Sequence, residues 1–164
     1  RALRKECGLP VTIKWPNDLL IRGKKICGIL TEVKGEPDHI DYLVIGTGIN
    51  VLQEKDDFPP DLRQPGSSLF LEGGGRLNRT TLFLHLLEEL KTSLQQFFQQ
   101  GFAPFHGPWK ELNSTLGLPV NLTWPGGSLK GRALDLDCRG ALIVEDNAGK
   151  HHLINYGELE KDVQ

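Results

Sequence analysis

Residues 11–30 of the chain read VTIKWPNDLLIRGKKICGIL, and this stretch predicts the beginning of a β-sheet. It contains three apolar runs of strand length, at residues 11–14, 19–21 and 25–30. Gly23 lies where a hairpin turn would join the last two runs. A polar loop separates the first two. Its Pro16 fixes its own φ and favours extended backbone at Trp15, so the loop holds its side chains in set directions.

The loop at residues 14–18, Lys-Trp-Pro-Asn-Asp, brings three kinds of polar group together. Lys14 supplies a charge that suits phosphate. Asn17 supplies a two-sided hydrogen-bonding group that suits a base edge, and Asp18 supplies an oxygen ligand for Mg²⁺. An ordinary polar turn after a strand would have the same composition, so the loop by itself supports both interpretations.

Lys25 and two groups of glycines are further candidates. Lys25 either points to solvent or directs an ammonium at an anion, and Gly28 would let a ligand approach the backbone closely. The apolar run at residues 42–46 predicts a strand that is covered on both faces. The sequence Gly-Thr-Gly-Ile-Asn follows at residues 46–50, where a glycine pair allows backbone N–H groups to face a ligand. Asn50 either contacts an adenine edge or caps a turn.

The rest of the chain predicts two helices and then a small β-domain. A 3.6-residue repeat of apolar side chains runs between Asn78 and Gly101, and a second short helix is expected at residues 105–112. The glycine-rich residues 73–76 are interpreted as a flexible hairpin tip. Four strand-like runs separated by glycine turns then predict a small barrel after a boundary near Ser114.

Composition and charge exclude several classes of protein. The 164 residues carry 19 basic and 21 acidic side chains, and the net charge of -2 gives no nucleic-acid footprint. No apolar run approaches membrane-spanning length. The three cysteines match neither a disulfide framework nor a zinc pattern, which fits a reducing, cytoplasmic setting. The chain begins at Arg1 and contains no methionine, so it is interpreted as a piece of a longer protein.

Three motifs, in their order and spacing, resemble those of the biotin protein ligases. They are KWPND at residues 14–18, KICGIL at 25–30 and GTGIN at 46–50. The family patterns are KWPND, K-(L/I)-x-G-I-L and G-x-G-(I/L)-N. The resemblance implies an α+β fold. It places part of a class II synthetase-like, mixed-sheet catalytic domain at residues 1–113 and a small SH3-like β-barrel at residues 114–164.

The resemblance also implies an activity. Such ligases join biotin to ATP, giving biotinyl-5′-AMP and pyrophosphate, and then transfer the biotinyl group to a lysine of a biotin carboxyl-carrier protein. Neither step needs a protein nucleophile, so catalysis consists of holding the reactants in line and offsetting charge. The implied small molecules are biotin, ATP and Mg²⁺. The implied partners are the carrier protein and a second copy of the chain in a homodimer, with neither a membrane nor a nucleic acid.

By the same resemblance, each candidate residue receives a role. Lys25 would be the catalytic residue that contacts the biotin carboxylate and the α-phosphate, while Trp15 would pack and orient the loop. The biotin and adenylate pocket would be lined by Lys25, Gly46, Thr47 and Gly48. The ATP-binding residues would be Lys14, Asn17 and Asn50. The ligand of Mg²⁺ would be Asp18.

Two other interpretations stay open. One is a related lipoate or octanoate ligase, against which the Trp-Pro-Asn-Asp loop and the C-terminal barrel argue. The other is a non-catalytic module that binds a carrier domain. The family also has an upstream glycine/arginine loop, GRGRxGR, that closes over biotin. These 164 residues contain no counterpart of that loop, so the chain alone is expected to bind biotin weakly and not to turn over.

Overall fold

The computed structural model describes residues 1–36 and 39–160, and these residues have the α+β fold that the sequence predicts. They form two compact units. The first unit contains Arg1–Val11 and Asn17–Leu86, and the second contains Thr12–Pro16 and the chain from Leu87 onward. The predicted Lys-Trp-Pro-Asn-Asp loop is therefore divided between the two units after Pro16.

The first unit contains a helix and an antiparallel hairpin. Helix α1 covers Ala2–Cys7 and ends at Gly8, whose φ of 66° is a left-handed conformation that glycine adopts readily. Strand β1 covers Val11–Lys14, and all of it except Val11 belongs to the second unit. The sheet of the first unit contains β2 (Asp18–Ile21), β3 (Lys24–Glu36) and β4 (His39–Ile49), in that order. The β2–β3 and β3–β4 pairs are antiparallel, so the predicted hairpin is confirmed.

Short turns and the start of a long helix complete the first unit. A 3₁₀ turn covers Lys55–Asp57 and a π-helical turn covers Phe70–Gly74. Helix α2 (Arg79–Gln100) begins after Asn78. The Asn78 Oδ1 atom accepts hydrogen bonds from the backbone N–H groups of Thr80 and Thr81 and so caps the helix. The core of the unit consists of buried apolar side chains, namely Leu3, Val11, Ile21, Ile26, Cys27, Val51, Leu69 and Leu82.

Two expectations about β4 are wrong. Among the described residues, nothing covers both faces of the strand, because four of its large apolar side chains are at least 44% exposed, namely Ile40, Tyr42, Leu43 and Val44. β4 is the last strand of the sheet, so pairing with β3 satisfies its backbone while these side chains stay at the surface of the described unit. The glycine motif also does not follow the strand. Gly46 and Gly48 lie inside β4, opposite Leu30 and Gly28.

The expectation of a flexible hairpin tip at residues 73–76 is also wrong. Gly73 and Gly74 close the π-helical turn, and Glu72 in the same turn is 6% exposed. Gly73 has a φ of 99°, which L side chains rarely adopt, so a glycine suits the end of this turn.

The second unit is built around five short strands. Helix α3 (Ala103–Leu112) precedes β5 (Pro119–Trp124), β6 (Gly127–Leu136), β7 (Leu142–Asp146), β8 (His151–Ile154) and β9 (Glu158–Glu160). Their order in the sheet is β8-β7-β6-β5-β9, and adjacent strands are antiparallel. Four of these strands are predicted from the sequence, and β9 is not. Residues 161–164 of the predicted C-terminal domain lie outside the described residues.

The second unit has its own core, and Trp15 is part of it. The buried side chains are Trp15, Val120, Leu122, Ala133, Leu136, Leu142, Val144 and Ile154. Trp15 is 4% exposed, so its predicted packing role is confirmed. None of the described helices has the length and apolar character that crossing a membrane requires.

Candidate functional site

A β-bulge in β3 sets the direction of the Lys25 side chain. Asp18 pairs with Gly28 and Leu19 pairs with Cys27, but Leu20 pairs with Lys25, so the register skips one residue of β3. Residues three apart in a regular strand point to opposite faces, whereas an extra residue turns one of them over. The Lys25 side chain accordingly lies over Gly28, with Cε and Nζ each 3.2 Å from the position that a Cβ at residue 28 would occupy.

The Lys25 ammonium forms an ion pair with a carboxylate on the neighbouring strand, β2. Lys25 Nζ lies 2.6 Å from Asp18 Oδ1, and the side chain of Lys25 is 41% exposed. Gly28 makes this arrangement possible, because a methyl group there would press on Lys25. The room above Gly28, which the sequence assigns to a ligand, is occupied by the Lys25 side chain itself.

Gly46 and Gly48 leave an open stretch of backbone beside this pair. A Cβ at Gly46 would come no closer than 3.7 Å to another atom, and one at Gly48 no closer than 3.9 Å, so neighbouring atoms do not require glycine at either position. Both residues are exposed, as is Thr47 between them. Since Gly48 pairs with Gly28, two glycines face each other across β3 and β4 and present bare backbone that a ligand can approach.

Asn50 is tied to Lys25 through residues 65–67, which belong to neither a helix nor a strand. The Lys25 N–H donates to the Pro65 carbonyl over 2.8 Å, and the Ser67 N–H donates to the Lys25 carbonyl over 2.9 Å. The Asn50 side-chain amide donates to the Ser67 carbonyl over 3.0 Å. Ser67 thus contacts two predicted site residues. No sequence pattern marks it, because a single serine in a proline-rich loop carries no periodic signal.

Asn17 is held against β3. Its side-chain amide donates to the Ile29 carbonyl over 2.8 Å, and the Ile29 N–H donates to the Asn17 carbonyl over 2.9 Å. These two bonds continue the β2–β3 hairpin beyond Asp18. Asn17 is itself exposed.

Cys27 lies between these groups but is not a nucleophile. Its side chain is buried, and burial raises the pKa of the thiol to about 11, with a smaller contribution from the charge of Asp18 that outweighs the opposing charge of Lys25. The thiolate, which is the reactive form of cysteine, is therefore scarce at neutral pH. The site offers positioned charge and backbone rather than covalent chemistry.

Glu72 is a second buried ionisable group of the first unit. Burial by itself raises the pKa of this carboxyl, but hydrogen bonds from Lys24, Ser67 and Arg22 outweigh that effect and hold the pKa below its ordinary value. Glu72 is therefore ionised at neutral pH. Glu72 is not recognisable as a buried group from the sequence, because the three glycines that follow it indicate a flexible hairpin tip.

Lys14 belongs to the second unit and is described there. Its ammonium donates to the Leu159 carbonyl over 3.5 Å. The next residue, Trp15, donates its backbone N–H to Thr115 Oγ1 over 3.1 Å. The first contact holds Lys14 against β9, and the second holds Trp15 against the segment between α3 and β5. Trp15 is also buried in the core of that unit.

The residues present do not fit a resident Mg²⁺ site. Within residues 1–36 and 39–160, no three carboxylates, histidines or cysteines are grouped in a way that could hold a metal ion. The predicted ligand, Asp18, is a single carboxylate whose Oδ1 already contacts Lys25. Mg²⁺ commonly binds one or two carboxylates together with substrate phosphates, so an ion here would arrive as part of a nucleotide substrate.

Comparison with known proteins identifies the relatives of both ends of the chain. Residues 1–50 match the biotin/lipoate A/B protein ligase family, and residues 115–162 match the biotin protein ligase C-terminal domain. The bifunctional ligase/repressor BirA of Bacillus subtilis is 34% identical over 149 residues, which cover 91% of this chain. The chain belongs to the biotin protein ligase family. It spans about half the length of this relative, since the alignment covers 46% of BirA.

Solved structures of the biotin protein ligase family share the fold. The apo structure of biotin protein ligase from Aquifex aeolicus matches with a TM-score of 0.86 and 26% identity, over 98% of this chain and 70% of that one. The same enzyme in complex with biotin and ATP matches with a TM-score of 0.84 and 27% identity, over 98% of this chain and 66% of that one. The α+β fold expected from the family resemblance is thus confirmed.

Proposed function

We propose that the intact protein is a biotin protein ligase, which forms biotinyl-5′-AMP from biotin and ATP and transfers biotin to a lysine of a biotin carboxyl-carrier protein. One observation carries the proposal. The β3 bulge holds the Lys25 ammonium on the same face as Gly28, beside the exposed backbone of Gly48. The Aquifex aeolicus relative, which binds biotin and ATP, covers this whole region of the chain.

The first step joins two anions, so it needs a cation between them. A biotin carboxylate oxygen attacks the α-phosphorus of ATP, a new P–O bond forms, and the bond to the leaving pyrophosphate breaks. Lys25 would contact both the carboxylate and the α-phosphate and so offset their repulsion and the charge that develops. Its 41% exposure leaves the side chain accessible to both reactants.

The second step transfers the biotinyl group. The neutral amine of the acceptor lysine attacks the carbonyl carbon of the mixed anhydride, an amide bond forms, and AMP leaves with the electrons of the broken C–O bond. The amine proton passes to solvent. Lys25 would again stand next to the developing negative charge, on the AMP phosphate, and no protein nucleophile takes part.

Asp18 would prepare Lys25 for both steps. Its carboxylate, 2.6 Å from Lys25 Nζ, holds the ammonium over Gly28 before substrates bind. Asp18 is also the residue that would supply one carboxylate oxygen to a nucleotide-bound Mg²⁺, since that ion prefers carboxylate and phosphate oxygens. The phosphates would then replace Asp18 as the partner of Lys25.

The remaining nucleotide contacts would come from exposed or polar groups around the hairpin. Asn50 uses its side-chain N–H to hold Ser67, so an adenine contact would use Oδ1 as acceptor for the amino group of the base. Gly46, Thr47 and Gly48 would line the biotin and adenylate pocket with backbone. Asn17 would contact the nucleotide, and the family resemblance assigns Lys14, which belongs to the second unit, to the phosphates of ATP.

Partners, compartment and domain limits are part of the same proposal. The match of residues 115–162 to the C-terminal domain supports a boundary between residues 1–113 and 114–164. The free thiols of Cys7, Cys27 and Cys138 support a reducing, cytoplasmic setting. The carrier protein is the acceptor partner, and a homodimer is the proposed assembly.

A lipoate or octanoate ligase is the second candidate, because the family matched by residues 1–50 includes both kinds of enzyme. Incubating the intact protein with ATP and each acid in turn, and identifying the acyl-AMP by mass spectrometry, separates the two. We expect biotinyl-5′-AMP and neither lipoyl- nor octanoyl-AMP. Formation of lipoyl-AMP alone would favour the second candidate, and no acyl-AMP from any acid would favour a non-catalytic module.

A further inference from the structure

Glu72 is the centre of a buried ionic cluster that the proposed chemistry does not use. Its side chain is 3% exposed. The carboxylate accepts hydrogen bonds from Ser67 Oγ over 2.7 Å, from Lys24 Nζ over 2.9 Å and from Arg22 Nη1 over 3.0 Å. Arg22 Nη1 also donates to the Glu72 carbonyl over 3.1 Å. Two cations and a hydroxyl thus converge on one buried carboxylate.

The cluster connects the β2–β3 turn to the segment that follows Pro65. Arg22 lies in the turn between the two strands, and Lys24 is the first residue of β3. Arg22 has a φ of 49°, which is unusual for a residue other than glycine. Ser67 lies in the segment that pairs with Lys25 in parallel fashion. Glu72 therefore contacts the hairpin at its turn, through Arg22 and Lys24, and is connected to β3 through Ser67.

Ser67 is the point where the cluster reaches the site. Its hydroxyl donates to Glu72, its backbone N–H donates to the Lys25 carbonyl, and its carbonyl accepts from the Asn50 side chain. Every hydrogen-bonding group of Ser67 is thus used to link Glu72 with two site residues. A shift of Ser67 moves the backbone from which Lys25 extends and the carbonyl acceptor that orients the Asn50 side chain.

We propose that Glu72 is a positioning residue, which fixes Lys25 and Asn50 through Ser67. This inference rests on the proposed ligase function. A buried ion pair by itself is weak evidence for a stabilising role, since apolar side chains of similar volume often replace such pairs without loss of stability. Because Ser67 connects Glu72 to Lys25 and Asn50, Glu72 has a role beyond its own ion pairs. It sets the register of the 65–67 segment against the bulge that aims Lys25.

The kinetic test uses Glu72→Gln in the intact protein, with Ser67→Ala as a second variant and Glu54→Gln as the matched control. Glu54 is an exposed carboxylate near Arg76. We expect Glu72→Gln and Ser67→Ala each to lower kcat for biotinyl-5′-AMP formation by about 10- to 100-fold. KM for ATP and biotin should change much less, because a misplaced Lys25 loses contacts made in the transition state. Glu54→Gln should retain wild-type kinetics.

A double variant shows whether Glu72 acts through Ser67. If it does, Glu72→Gln combined with Ser67→Ala should be little worse than either single variant, because both remove the same link. If the double variant lost kcat by the product of the two single losses, the inference would be contradicted. It would also be contradicted if the fall in kcat matched a loss of folded protein seen in thermal melts.

Amide hydrogen exchange tests the inference without requiring activity. In Glu72→Gln, exchange at the N–H groups of Lys25 and Ser67 should accelerate by about 10-fold or more, because opening of the 65–67 segment becomes easier. The amide of Leu122, in the core of the second unit, should be unaffected. Unchanged protection of the Lys25 amide in Glu72→Gln would overturn the positioning role, whatever the activity of the wild type. A wild type that forms no acyl-AMP would instead refute the proposed ligase function.

Discussion

Lys25 Nζ lies 2.6 Å from Asp18 Oδ1, above the bare backbone of Gly28. The relationship depends on the bulge in β3, which turns Lys25 onto the face that Asp18 and Gly28 share. It gives this part of the chain a fixed cation on an open strand surface. The proposed acyl-adenylate chemistry needs such a cation, because both reactants of its first step are anions.

Gly28→Ala should displace the Lys25 ammonium. The added methyl carbon would lie 3.2 Å from Lys25 Cε and Nζ, and the flexible side chain would move away from Asp18. We expect kcat for acyl-AMP formation to fall by about 10- to 100-fold while the melting temperature changes little. Gly107→Ala is the control, since a Cβ there meets no atom within 4 Å. Steady-state kinetics that leave Gly28→Ala equal to this control would contradict the geometric argument.

Cys27 should make stability depend on alkaline pH. Its pKa is raised from 9.0 to about 11, chiefly by burial, so the folded state binds the thiol proton more tightly than the unfolded state. The contribution is complete below pH 9 and is lost as the pH rises towards about 11. Urea unfolding of wild type and Cys27→Ala across this range checks it. The advantage of the wild type over Cys27→Ala should shrink with pH, and a constant difference would contradict the shift.

Asp146 should make the stability of the protein fall as the pH becomes acidic. The hydrogen bond with His152 lowers its pKa to about 2, with further bonds from the backbone N–H groups of Lys150 and Ala148. Stability from this carboxylate is therefore present above its ordinary pKa of 3.8 and is lost as the pH falls through about 2. Asp146→Asn should melt below wild type at neutral pH and converge with it near the lower value. Asp61→Asn, an exposed control, should track wild type throughout.

Leu122 should carry much of the stability of the second unit. It is 0% exposed in β5, whereas Leu153 in β8 is 60% exposed. Leu122→Ala removes buried apolar atoms and leaves a cavity, so we expect a loss of about 2–5 kcal/mol in the free energy of unfolding. Leu153→Ala should stay within about 0.5 kcal/mol of wild type. Equal losses in urea titrations would show that the β-domain core is assigned incorrectly.

Local signals in the sequence predict much of the fold. Gly8 ends α1, Asn78 caps α2, and Gly23 lies in the β2–β3 turn, each because its own chemistry determines the backbone there. The α+β class follows from the same signals and from the family motifs. β9 has only three residues, which is too short for a periodic pattern to indicate.

The arrangement of the site is much less predictable. Lys25 and Gly28 are three residues apart, and only the observed register with β2 shows that they share a face. The exposure of β4 depends on what packs against the strand. An apolar residue such as Val44 does not by itself show whether another element covers it. Ser67 contacts Lys25 and Glu72 contacts Arg22, and both partners are distant in the chain, so nothing in the local sequence marks either residue.

Lys25 is proposed to supply the charge for activation of the acid, and biotin-dependent exchange of labelled pyrophosphate into ATP measures that step alone. The variants are Lys25→Ala and Lys34→Ala, the latter an exposed lysine of the same strand that lies over the Tyr42 ring. We predict that Lys25→Ala lowers the exchange rate by about 10²- to 10³-fold and that Lys34→Ala leaves it unchanged. Wild-type exchange in Lys25→Ala would contradict the account.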